Sequence, residues 1–131
     1  GKVYAVDVQQ SMLDRTKAAV DQHKLANDEY VLATERSTRL PERSVDLVFV
    51  AYPYHEFGDP EEMLTSIRRA LKPGGRVVII EYAKESKFAP ASPPHKMSFE
   101  EIRREIEPMG FVIDQLFDFL PVQHGVVFTI K

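Results

Sequence analysis

At 131 residues with 44% hydrophobic side chains, the chain carries enough apolar material for one domain with a buried core. Its lack of cysteine excludes disulfides, cysteine nucleophiles and thiolate metal sites, and suits a reducing, cytoplasmic setting. A net charge of -3 argues against nucleic acid, whose phosphates are held by clustered Lys and Arg, and no apolar run reaches the roughly 18 residues of a membrane span.

In chain order, Lys2 to Val8 is a nearly unbroken apolar segment ending in an acid, which predicts a parallel strand covered on both faces. Ser11 with Asp14 predicts a capping box, and Met12, Thr16 and Val20 mark one face of a helix running to about Lys24. Glu29 to Thr34 reads as the next strand, Glu35 to Arg43 as a polar loop and Val45 to Ala51 as a fully buried strand. Asp59 caps a helix with Pro60 at its first position and Met63, Leu64, Ile67 and Leu71 at helical spacing. A Pro-Gly-Gly turn at 73–75 then leads into a strand from Arg76 to Tyr82. The proline-bearing stretch Lys84 to Lys96 reads as a surface loop. Ser98 and Glu101 cap a third helix with Ile102, Ile106 and Met109 inward, closed by Pro108 and Gly110. Strands at about Val112 to Leu120 and His124 to Ile130 form an antiparallel pair. The alternation predicts an α/β fold with a mostly parallel sheet, helices on both faces and a C-terminal antiparallel hairpin.

Leu71-Lys72-Pro73-Gly74-Gly75-Arg76-Val77, between an amphipathic helix and Val77-Val78-Ile79-Ile80, resembles the helix-to-strand turn of the class I S-adenosylmethionine (SAM) dependent methyltransferases. The likeness continues upstream into Val45 to Val50 and downstream into the closing hairpin, and so takes in essentially the whole chain as one domain, 1–131. His95-Lys96-Met97 and Leu120-Pro121-x-Gln123-His124 are similar to pieces of a little-characterised bacterial branch of that family. The resemblance implies a Rossmann-like sheet, SAM as cofactor and methyl transfer to a small-molecule acceptor.

A sheet of this kind binds ligands beyond the carboxyl ends of its strands, so the residues there are the candidates. Asp7 can accept both hydroxyl protons of a ribose, or can simply cap the helix that follows. In the family an acid at this place holds the SAM ribose, and Asp7-Val8-x-x-Ser11-Met12-Leu13 looks like its form, with Val8 and Met12 flanking the adenine. The family places a short acidic segment near the adenine amino group five residues before a Leu-Pro pair; here Leu40-Pro41 sets Arg36 at that spacing, with Glu35 beside it. Ala51-Tyr52-Pro53-Tyr54-His55-Glu56-Phe57 follows the central strand, where the family lines SAM and substrate: Ala51 and Tyr52 fall to the cofactor, Tyr54 and Glu56 to the substrate. His55 is the candidate general base, with local backbone hydrogen bonding as the alternative role. Tyr82 and His124 border later elements and are candidate substrate contacts; no metal-ligand spacing is present.

The chain departs from the family at its start. Gly1-Lys2-Val3-Tyr4 resembles the family's second strand, so a strand, glycine-rich loop and helix of on the order of 30 residues is missing from the pattern. Its strand would lie between those at Val3 and Val45, whose backbone edges are left open for pairing with each other or with a second copy in a homodimer. A non-catalytic methyltransferase-like interaction module or inactive fragment is the alternative reading, and a nicotinamide-dependent oxidoreductase sharing the ribose acid is a third.

Overall fold

The computed structural model describes residues 1–51, 57–83 and 96–131, with residues 83, 96 and 97 described by their backbone alone. Strand β1 (Val3–Asp7) leads through helix α1 (Gln10–Gln22) to β2 (Asp28–Leu32), and these strands form a two-stranded parallel sheet. A second, five-stranded sheet contains β3 (Val45–Ala51), β4 (Leu71–Ala83), β7 (Gln123–Ile130) and β6 (Phe111–Phe117) in that spatial order, with β5 (Lys96–Met97) alongside β4. Helix α2 (Pro60–Ala70) joins β3 to β4, and α3 (Phe99–Ile106) precedes β6. Pairing of β3 with β4 is parallel, and β4–β7 and β7–β6 are antiparallel. This is the Rossmann-like α/β arrangement expected from the alternation, with β1 and β2 in a sheet separate from that of β3 among the described residues.

Local chemistry explains most boundaries. Asp59 accepts a hydrogen bond from Glu62 N (3.1 Å), Pro60 supplies the first helical residue, and Arg68 and Arg69 lie at the negative end of α2. At α3 the capping box is reciprocal, with Glu101 N to Ser98 Oγ at 3.2 Å and Ser98 N to Glu101 Oε2 at 3.0 Å. Pro108 ends that helix in a 3-10 turn, Glu107–Met109. Helix α1 differs from the expectation. It starts at Gln10 with Gln9 as a cap lacking a side-chain bond, because Ser11 already lies inside the first turn, and Asp14 instead accepts from Gln10 Nε2 at 2.9 Å. Leu13 is its buried residue, whereas Met12 and Thr16 are exposed.

The core lies on one face of the five-stranded sheet. Met63, Leu64 and Ile67 of α2 and Ile102 and Ile106 of α3 cover Val50, Val77, Ile79, Val126 and Phe128. Each such fully buried side chain contributes about 1.5–3 kcal/mol. The expectation of full burial for Val45–Ala51 is corrected here: Leu47 and Phe49 are 56% and 60% exposed. Strand alternation sends them to the face opposite Val48 and Val50, and α2 and α3 cover only the latter face.

Among the described residues, the two sheets share no hydrogen-bonded strand pair. Contact between their segments runs through the loop after β2. Ser66 Oγ on α2 accepts from Thr38 N at 2.9 Å, lies 2.9 Å from Thr38 Oγ1 and 3.3 Å from Ser37 Oγ. Arg69 Nη2 bonds Glu42 Oε1 at 2.6 Å and, through that hydrogen bond, holds the Glu42 carboxyl below the usual carboxylate range. Because Thr38 is buried, Ser66→Ala is expected to cost about 1–3 kcal/mol through its orphaned N–H, measured by urea unfolding. A loss within error would show that the loop is held by its other contacts.

Candidate functional site

Four strand ends carry the candidate residues that the structure describes. Asp7 is the last residue of β1, and its Oδ1 accepts from Gln9 N at 2.9 Å. This short turn fixes one carboxylate oxygen where the chain leaves the strand, so the local capping role and the strand-end placement coexist. Val8 and Met12, 49% and 39% exposed, set apolar surface beside it. The next strand end turns sharply: Thr34 Oγ1 accepts from Arg36 N (3.2 Å) and Ser37 N (3.0 Å), which puts Glu35 at the apex. The Glu35 side chain lies over Gly58, where a Cβ would stand 2.7 Å from Oε2. The acid expected beside the cofactor thus touches the segment that links β3 to α2.

Ala51 closes β3 opposite Ile80, and Tyr82, near the end of β4, lies between Lys96 of β5 and Gln123 of β7. His124 follows Gln123 and faces Glu81 across the β4–β7 ladder. Its ring rests on Phe99 with centroids 4.1 Å apart, so the capped start of α3 also supports the imidazole. Tyr52, Tyr54, His55 and Glu56 lie outside the described residues. Among the described residues, no group of three or more His, Asp or Glu is placed to hold a metal ion, and no helix is long and apolar enough to cross a membrane.

Two features were not read from the sequence as parts of the site. Glu81, next to Tyr82 near the end of β4, is fully buried; its place two residues after Ile79 and four after Val77 was the available signal. The second is Gly125, over which the Phe117 ring lies so closely that a Cβ there would be 1.9 Å from two ring carbons. Phe117 stacks in turn on Phe119, with centroids 5.2 Å apart.

Comparison with known proteins adds ancestry to this geometry. Residues 1–79 match a family described as a methyltransferase domain. Demethylmenaquinone methyltransferase of Lactococcus lactis subsp. lactis (strain IL1403) is 32% identical over 108 residues, covering 82% of this chain and 41% of that protein. The crystal structure of a SAM-dependent methyltransferase from Aquifex aeolicus matches with a TM-score of 0.94 at 30% identity, over 100% of this chain and 70% of that one. An S-adenosylmethionine dependent methyltransferase from Mesorhizobium loti shares the fold at 17% identity, with a TM-score of 0.75 over 97% of this chain and 79% of that chain. The aligned part therefore takes in less than half of the Lactococcus protein.

The Phe117–Gly125 contact fixes β7 next to His124. Gly125→Ala is expected to destabilise by about 1–3 kcal/mol through overpacking, and adding Phe117→Ala should recover part of that loss. Urea unfolding of both variants checks it; a neutral Gly125→Ala would mean that the ring has room to move.

Proposed function

Since the chain belongs to the methyltransferase domain family, we propose that it serves methyl transfer from SAM to a small-molecule acceptor. The observation that carries this reading is Asp7, set at the end of a parallel strand with one carboxylate oxygen fixed by Gln9 N. That carboxylate suits the two hydroxyls of a ribose, and exposed Val8 and Met12 suit the faces of an adenine. Glu35 stands at the second strand end over Gly58, Ala51 closes β3 on the proposed cofactor side, and Tyr52, outside the described residues, is assigned to the cofactor by family resemblance. Bound there, SAM supplies an electrophilic methyl group on a sulfonium centre.

The chain's own groups bind, orient and accept a proton. Tyr54, Glu56, Tyr82 and His124 are proposed to hold the acceptor, and His55 to act as base where the acceptor atom carries a proton. The curated relative makes demethylmenaquinone the first acceptor to test. A cytoplasmic setting and a homodimer belong to the same reading. Exposed Val3 on β1 and Leu47 and Phe49 on the uncovered face of β3 give a second copy apolar surface to cover.

Calorimetric titration with SAM tests the reading directly: saturable binding is expected, and a folded chain that binds none would overturn it. Asp7→Ala should weaken SAM affinity about tenfold or more, the loss expected for a charge-assisted contact. His55→Ala should lower turnover more than SAM affinity. An equal fall in both would assign His55 to folding or cofactor binding.

A further inference from the structure

One transverse row of residues crosses the five-stranded sheet near the carboxyl ends of β3 and β4. The ladders set Ala51 beside Ile80, Ile80 beside Gly125 and Gly125 beside Phe117. Strand alternation puts this row on the face away from α2 and α3, because Val50, Ile79 and Val126 occupy the covered face. Ala51 lies two strands from Gly125, about 10 Å at the usual strand spacing. The Phe117 ring fills the place that a side chain at Gly125 would take. Phe119 stacks on Phe117 with centroids 5.2 Å apart and planes 24° from parallel, yet it is 80% exposed. Stacking uses one face of the Phe119 ring, so the surface it shows to water includes the other. A phenyl ring steadied by a second ring and still presented to solvent adds little to the core and offers a flat apolar surface to a partner.

We propose that Phe117 and Phe119 form an aromatic shelf for the methyl acceptor, and that the acceptor carries a flat aromatic ring. This use of the shelf rests on the methyl-transfer reading, which sets the cofactor against Ala51 at the near end of the row. Phe117 and Phe119 close the far end, two strands beyond the cofactor side. A planar ring gains offset stacking on Phe119 in addition to apolar contact, and being rigid it loses little conformational freedom when bound. Stacking also fixes the plane from which the ring's substituents project, and so helps to align the acceptor atom with the methyl group. A saturated acceptor of the same size would gain the apolar contact alone. Phe119 is thereby a specificity-determining residue, and Gly125 is the residue that lets Phe117 lie flat beneath it.

Titration of 2-naphthol and of its saturated analogue decahydro-2-naphthol into the 15N-labelled full chain, followed by amide chemical shifts, tests the shelf. Saturable ring-current shifts are expected at Asp118, Phe119 and Gly125 with 2-naphthol, and the saturated analogue should bind about fivefold more weakly or worse. Phe119→Ala should weaken 2-naphthol by about the same factor, Phe119→Leu should recover little of it, and Phe119→Tyr should recover most. A ring that only braces the hairpin would lower the unfolding temperature in Phe119→Ala and leave 2-naphthol affinity alone. That result, 2-naphthol shifts absent from the hairpin, or equal affinity for the two ligands overturns the proposal. If Phe119→Ala does not fold, the two ligands on the unaltered chain decide. Titrating SAM into the same samples separates the readings: absence of SAM binding defeats methyl transfer, while the ligand pair still decides whether the shelf selects flat rings. A loss of SAM affinity in Phe119→Ala as large as that for 2-naphthol would assign the ring to the cofactor and overturn the proposal.

Discussion

Two sheets without a shared ladder are tied by hydroxyls. Ser66 on α2 meets Thr38 N, Thr38 Oγ1 and Ser37 Oγ, and the Arg69–Glu42 pair closes the outer side of the same loop. The buried bonds of Thr38 matter more than the exposed ion pair, because an exposed pair is screened and loses side-chain entropy, whereas a buried N–H without a partner costs its full desolvation. These hydrogen bonds, with the backbone bonds from Arg43 N to Arg69 O and from Ser44 N to Ala70 O, therefore help to set the position of Asp7 and Glu35 relative to Ala51 and Tyr82.

The second constraint is the one-sided core. Helices α2 and α3 cover a single face of the five-stranded sheet, and burial of Val77, Ile79, Val126 and Phe128 there fixes the register of β4 against β7. That register sets Tyr82 opposite Gln123 and Glu81 opposite His124, since a one-residue slip would turn every side chain to the other face. The placement of Tyr82 and His124 at this end of the sheet is thus a by-product of hydrophobic packing further down the same strands. The other face of β3, with Leu47 and Phe49, takes no part in that core.

What was legible in the sequence was what is decided locally. Asp59-Pro60 and Ser98 with Glu101 announce helix starts because the bonds they make span three residues. Ser11 and Asp14 have the same spacing and misled, because the turn at Asp7–Gln9 had already started the helix. The strand-end positions of Asp7, Ala51, Tyr82 and His124 follow from element order, and were readable. Burial of β3 on one face and the Phe117–Gly125 contact depend on neighbours distant in sequence, to which local periodicity is blind, whereas the alternation of Glu81 with Val77 and Ile79 carried a local signal.

The slender attachment of β1, α1 and β2 has a dynamic consequence. Leu13 is the buried residue of α1, and among the described residues β1 and β2 pair only with each other, so this unit should open at a lower free-energy cost than the strands beneath α2 and α3. Amide hydrogens of Tyr4 or Val31 would then exchange before those of Ile79 or Phe128. A ligand seated on Asp7 would be held by the least protected part of the molecule, and its apparent affinity would be discounted by the fraction of time that unit is open. Binding would register as slowed exchange in β1 and β2, spreading through Thr38 to α2.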